Sequence, residues 1–184
     1  MAIRGGADVV QLRGKDLSSA ELYLEALALR RLTRSLGVPL IINDRVDIAL
    51  AVDADGVHLG QDDLPVAAAR RLLGPDKIIG LSTHSLEQVR AACAQDIDYL
   101  SIGPIFPTRT KLIEGPLGLD LVREARTFVR VPIVAIGGIS EKNIAEVRRA
   151  GADIAAVVSA VVGAADVEAG ARTLKQMLLS AAGP

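Results

Sequence analysis

A chain of 184 residues, half of them hydrophobic, is long enough to bury one sizeable core. Its 21 basic and 22 acidic residues nearly cancel, and it has two Phe, two Tyr and no Trp. Charge and aromatic stacking are thereby excluded as routes to nucleic acid or to an anionic membrane, and no apolar run is long enough to span a bilayer. The single cysteine, Cys93, cannot form an internal disulfide. It falls in an apolar helical pattern, reads as a buried structural thiol, and fits a cytoplasmic protein.

In chain order, short β-branched runs alternate with longer helical patterns. Strands are predicted at DVVQLR (8–13), PLIIND (39–44), GVHLG (56–60), IIGLST (78–83), YLSIGPI (99–105), PIVAIGG (132–138) and AAVVSA (155–160). Helices are predicted over 18–36, 46–53, 65–73, 85–95, 118–130, 140–150 and 164–181. Ser18 with Glu21 and Ser85 with Gln88 each fit a capping box, and Ser140 stands at an N-cap position. Pro39, Pro75 and Pro132 precede strands, where a helix has to stop.

Alternation of this kind with near-continuous apolar strands predicts a parallel sheet covered by helices. The units recur about every 20–25 residues, a spacing that favours an α/β (β/α)₈ TIM barrel over an open doubly wound sheet. No Gly-rich dinucleotide turn follows the first strand, which argues in the same direction. The expectation is one domain over 1–184, with seven strands present and one β/α unit short of eight.

In such barrels the active site lies at the carboxyl ends of the strands. Those ends read Gln11-Leu12-Arg13-Gly14-Lys15, Asn43-Asp44, Gln61-Asp62-Asp63, Ser82-Thr83-His84, Thr108-Arg109-Thr110-Lys111, Gly137-Gly138 and Val158-Ser159. Asp44 and Asp63, on neighbouring strand tips, suit one Mg²⁺, which takes one or two carboxylates and completes its shell with waters and phosphates. A lone strand-end Asp serves equally well as a helix cap, so the pairing carries the argument. Arg13, Lys15 and Lys111 supply the charges for a diphosphate, with Asn43 and Ser82 as neutral donors. Gly137-Gly138 and the stretch through Val158-Ser159 suggest a separate phosphate site at the last two strands. The long connection 106–118 reads as a lid. His58 reads as a core residue, and His84 has no evident acid partner. One diphosphate and one monophosphate in the same barrel mouth suggest a transferase in which diphosphate leaves.

At VQLRGK, INDRVDIALAVDADGVHLGQDDLP, GLSTHS, DYLSIGPIFPTRTK, VAIGGI and GADIAAVVSA, all in one order, the chain resembles the thiamine phosphate synthase family. The resemblance covers essentially its whole length. It implies joining of 4-amino-5-hydroxymethyl-2-methylpyrimidine diphosphate to hydroxyethylthiazole phosphate, giving thiamine phosphate and diphosphate. Gln11, Leu12, Arg13, Gly14, Lys15, Asn43, Ser82 and Lys111 would then hold the pyrimidine diphosphate, with Arg13, Ser82 and Lys111 catalytic. Asp44 and Asp63 would bind Mg²⁺, one per site. Thr108, Arg109, Thr110, Gly138, Val158 and Ser159 would hold the thiazole phosphate. Small-molecule substrates are the expected partners, a homo-oligomer being left open. Two other readings are a thiazole tautomerase-like isomerase and a catalytically impaired barrel kept for binding. Family members begin with a further strand and helix. The expectation is therefore a truncated or mis-started chain with open edges at 8–13 and 155–160, less stable and weakly active unless a neighbouring subunit closes the gap.

Overall fold

A computed structural model describes residues 1–108 and 115–181. Strands and helices alternate as β1 (Val10–Leu12), α1 (Ser19–Ser35), β2 (Leu40–Asn43), α2 (Val46–Ala51), β3 (Gly56–Leu59), α3 (Val66–Leu73), β4 (Ile78–Thr83), α4 (Leu86–Ala92), β5 (Tyr99–Ile102), α5 (Asp120–Arg126), β6 (Ile133–Ile136), α6 (Ile144–Arg149), β7 (Ile154–Ala156), α7 (Ser159–Val162) and α8 (Val167–Ser180). This is an α/β fold whose seven strands lie in sequence order in one sheet. The chain divides into two compact units, Asp8–Leu81 with Gln95–Asp98, and Met1–Ala7 with Ser82–Ala94 and Tyr99–Pro184.

In the unit beginning at Asp8, β1, β2 and β3 pair in parallel, with Gln11 opposite Ile41 and Asn43 opposite His58. Leu40, Ile41 and Ile42 are at most 1% exposed, and Val57 and Leu59 are fully buried beside them. Each such side chain contributes roughly 1.5–3 kcal/mol of burial, and this run of apolar residues fixes β2 until Asn43 ends it. His58 is buried within β3, as its place in the strand pattern suggests. Helix α1 starts where its sequence says: Ser18 Oγ accepts from the Glu21 N–H at 3.3 Å, and the Glu21 carboxylate accepts from the Ser18 N–H at 2.9 Å.

The amino ends of the even strands are fastened by aspartates. Asp55 Oδ2 accepts from the Leu40 N–H at 2.7 Å while the Asp55 N–H donates to the Leu40 carbonyl at 3.0 Å. Arg30, from α1, closes on the same carboxylate at 2.6 Å. Asp98 repeats the arrangement on Ile79, through bonds of 2.7 and 2.8 Å, with Arg70 of α3 at 2.8 Å. A third copy lies in the other unit. Asp153 binds both backbone groups of Ile133 at 2.9 Å, with Arg126 of α5 at 2.8 Å.

That other unit pairs β5 with β6 and β6 with β7, again in parallel. Leu100, Ile102, Ile133 and Ala135 are fully buried there. Four expectations need correction. The apolar run AAVVSA is not one strand, because β7 ends at Ala156 and Ser159 begins the short helix α7. A brief β-branched run does not by itself distinguish strand from helix. Ser140 does not cap a helix, since its N–H is taken by the Asn143 side chain and α6 starts only at Ile144. Ser85 Oγ accepts from the Gln88 N–H, but Gln88 Oε1 takes the His84 N–H instead of returning to Ser85. Cys93 is exposed, because α4 ends at Ala92 and leaves it as the C-cap. Among the described residues, no helix is long and apolar enough to cross a membrane.

Candidate active site

At the carboxyl end of β2 the backbone turns sharply. Asp44 has φ +64°, and its N–H still donates to the His58 carbonyl at 2.8 Å, continuing the ladder one residue beyond the strand. A left-handed non-glycine residue costs roughly 1–2 kcal/mol, and such strain gathers at functional sites. The turn after β3 brings Asp63 to it. Asp63 Oδ2 accepts from the Gly60 N–H at 2.7 Å, which fixes the carboxylate, and an added methyl on Gly60 would come within 2.9 Å of that oxygen. The Asp63 carboxyl lies against that of Asp44. Lys15 Nζ lies 3.1 Å from Asp44 Oδ2.

Burial first, then the Asp63 carboxyl, pushes Asp44 above the ordinary carboxylate range, and Lys15 opposes both. Two acids together with one lysine on Asp44 leave an excess of negative charge, a donor set suited to a divalent cation with oxygen ligands. Among the described residues no group of three or more His, Cys, Asp and Glu comes together, and Mg²⁺ needs only one or two carboxylates. Arg13 is exposed close by in sequence. Gln11 is exposed, Leu12, Gly14 and Asn43 are half-buried, and Gly14 is packed against Leu17 and Leu22. A cavity of about 180 Å³ behind Asp63 is lined by Gly60, Gln61, Leu64, Pro65 and Leu81 among others. Ligand pockets usually exceed about 300 Å³, so it suits waters better than a substrate.

In the other unit, Ser82 and Ser101 are each only 5% exposed, their hydroxyls 3.5 Å apart, and Thr83 Oγ1 donates to the Ser101 carbonyl at 2.9 Å. His84 Nδ1 lies 2.5 Å from the Gly103 carbonyl, which can only accept, so that nitrogen carries the proton. His84 is thereby a tie to the backbone, without an acid partner among the described residues.

After β6 come Gly137 (φ +99°) and Gly138 (φ +65°). Glycine is needed at both. A Cβ on Gly137 would meet Pro104 at 2.6 Å, and one on Gly138 would meet the Pro107 carbonyl at 2.6 Å. Val158 is exposed and caps α7, and Ser159 opens that helix instead of ending a strand. Helices α6 and α7 have six and four residues. Lengths like these add little dipole, so backbone amides are what this region offers an anion. Thr108 is half-buried and has a bonding partner. Arg109, Thr110 and Lys111 lie outside the described residues. Sequence reasoning missed Asn143, whose signal was a side-chain amide three residues after Ser140, just before an apolar helical pattern.

The family model for thiamine monophosphate synthase matches residues 1–161. A thiamine-phosphate synthase of Chloroflexus aurantiacus is 58% identical over 178 residues, which cover 96% of this chain and 82% of that protein. One of Moorella thermoacetica is 50% identical over 183 residues, covering 99% and 87%. The solved thiamine phosphate pyrophosphorylase of Pyrococcus furiosus is similar with a TM-score of 0.91 at 41% identity, covering 99% of this chain and 88% of that one. With its strand order, its acid pair after β2 and β3 and its glycine turn after β6, the chain belongs to the thiamine monophosphate synthase family and is a transferase.

Proposed function

We propose that the chain condenses 4-amino-5-hydroxymethyl-2-methylpyrimidine diphosphate with hydroxyethylthiazole phosphate, giving thiamine phosphate and diphosphate. The observation that carries the reading is the Asp44–Asp63 pair with Lys15 against it, a site in need of positive charge where a diphosphate–metal complex would supply it. Asp44 and Asp63 would hold Mg²⁺, which when bound neutralises diphosphate oxygens as charge develops on them. Gln11, Leu12, Arg13, Gly14, Lys15, Asn43, Ser82 and Lys111 bind and orient the pyrimidine diphosphate. The bond from the pyrimidine methylene to the diphosphate oxygen breaks, and its electron pair leaves with diphosphate. Arg13, Ser82 and Lys111 stabilise that departing charge. The thiazole nitrogen then gives its lone pair to the methylene carbon. No proton moves in this step, which agrees with a His84 tied to a carbonyl. Thr108, Arg109, Thr110, Gly138, Val158 and Ser159 hold the thiazole phosphate, partly through backbone N–H groups.

The same reading takes the seven strands as part of a (β/α)₈ barrel, residues 1–184 as one synthase domain, and the protein as cytoplasmic, with small-molecule substrates and a homo-oligomer left open. A thiazole tautomerase is not favoured, because tautomerisation needs neither diphosphate nor a metal-suited acid pair. The test is diphosphate release and thiamine phosphate formation by the purified chain with both substrates and Mg²⁺. Product only when both are present supports the proposal. Turnover of a thiazole substrate alone, or binding of both substrates without product, sinks it.

A further inference from the structure

The glycine turn after β6 has its carbonyls and its N–H groups sorted. The Ile136 carbonyl accepts from the Ile105 N–H at 2.9 Å, and the Gly137 carbonyl accepts from the Phe106 N–H at 3.1 Å. The next carbonyl, of Gly138, has no backbone donor among the described residues. It accepts instead from the side chain of Asn143, Nδ2 at 3.0 Å. The other end of that amide, Oδ1, accepts from the Ser140 N–H at 2.8 Å. Among the described residues, none accepts from the N–H groups of Gly137, Gly138 and Ile139.

A trans peptide is planar, with its N–H opposed to its C=O. Holding a carbonyl therefore aims the following N–H the other way. Phe106 and Ile105 do this for the N–H groups of Gly138 and Gly137, and Asn143 does it for Ile139. Successive free N–H groups in such a turn form an anion-binding concavity. An untethered Gly138–Ile139 peptide is free to rotate, since glycine accepts either sign of φ. Rotation would put a carbonyl where an N–H is needed.

We propose that Asn143 is a positioning residue for substrate phosphate, holding the Gly138–Ile139 peptide so that the Ile139 N–H joins those of Gly137 and Gly138 on the phosphate monoester of the thiazole substrate. The inference rests on the thiazole-phosphate reading of this turn given above. Asn143 touches no substrate, and its effect passes through the backbone.

The first test is kinetic. Asn143→Ala raises KM for the thiazole phosphate about tenfold, which is about 1.4 kcal/mol, and leaves KM for the pyrimidine diphosphate unchanged. Asn143→Asp keeps an acceptor for the Ser140 N–H but loses the donor to Gly138, so it follows the alanine variant or falls below it. Equal rises for both substrates, or wild-type values in a folded Asn143→Ala, overturn the assignment. Where variants fold poorly, the wild type decides, by titration of the ¹⁵N-labelled chain with inorganic phosphate. The amide signals of Gly137, Gly138 and Ile139 shift together if the proposal holds, and an unmoved Ile139 signal defeats it. An active wild type with an indifferent Asn143 sinks this inference alone. A wild type that forms no thiamine phosphate sinks the broader reading, whatever the titration shows.

Discussion

Within the unit that begins at Asp8, the two ends of the strands treat charge in opposite ways. At the amino ends Asp53, Asp55 and Asp98 are each answered by basic side chains. Asp55 and Asp98 each hold both backbone groups of a neighbouring strand's first residues and an arginine besides. Asp53 is drawn below the ordinary carboxylate range chiefly by Lys77, with Arg30 and Arg34 adding to it. At the carboxyl ends, Asp44 and Asp63 face each other with one lysine against Asp44. The same residue type thus secures the fold at one end and is held in an unfavourable setting at the other. The acid pair at the carboxyl end has one lysine against Asp44, while Asp55 and Asp98 at the amino end each have an arginine and two backbone groups as partners.

Breaking the carboxyl-end pair should give the largest effect. Asp44→Ala or Asp63→Ala lowers the rate of diphosphate release by about 10²–10³, as loss of a preorganised electrostatic group commonly does. Thermal unfolding of Asp44→Ala stays at or above that of wild type, because a like-charge contact is removed, while Asp63→Ala also leaves the Gly60 N–H without its acceptor and unfolds earlier than Asp44→Ala. Full turnover in either variant, or in excess chelator, counts against the proposed role of the pair.

Lys15→Ala sharpens the comparison, since this lysine is the only cation paired with Asp44 among the described residues. Diphosphate release should slow about tenfold, while Mg²⁺ titrated calorimetrically into the substrate-free chain binds more tightly, no longer competing with the ammonium. Weaker Mg²⁺ binding in the variant would show that Lys15 is not a stand-in for the metal.

At the amino ends the loss falls on stability instead. Asp55→Ala or Asp153→Ala leaves a buried strand N–H and an arginine without their partner, a cost of about 1–3 kcal/mol. Denaturant unfolding measures it, and kcat at room temperature stays near wild type. A collapse of kcat with unchanged stability would abolish the distinction between the two ends.

The smallest effect is one of pH. Asp53 has a lowered pKa, so its contribution to stability is present above the ordinary carboxyl range and is lost as pH falls through its folded value. Asp44 is raised, so its contribution is complete below that range and declines as pH rises through its folded value. As pH is lowered, the stability of wild type relative to Asp53→Asn therefore falls, while that of wild type relative to Asp44→Asn rises. Asp53 is 61% exposed, so salt screens most of its share. Changes in the same direction would contradict the assignment.

Much of this was legible in the chain. Leu40 to Ile42 could hardly be anything but a buried strand, and the acid that follows them marks its rim. Ser18 and Glu21 announce α1 because a capping box is local, closed within three residues. Ser159 was misread because Val157 and Val158 carry the β-branched pattern past the true end of β7. Asp55, Asp98 and Asp153 gave no sign of their function, since each bonds a strand residue 15 to 20 positions upstream. Only strand register brings those positions together. Asn143 escaped for a related reason. Its bonds are short-range, but they matter through the direction of a peptide plane, which depends on glycines at positive φ.

The fastening of Leu40, Ile79 and Ile133 also bears on how the chain emerges during synthesis. The three arginine–aspartate contacts close segments of 25, 28 and 27 residues. Loop-closure entropy grows only as the logarithm of length, so the three differ by about 0.1 kcal/mol. None has an intrinsic head start. Translation then sets the order in which the three become possible, each once its aspartate has left the ribosome. Residues Asp8 to Asp55 have both halves of the first contact available long before the glycine turn after β6 has been made.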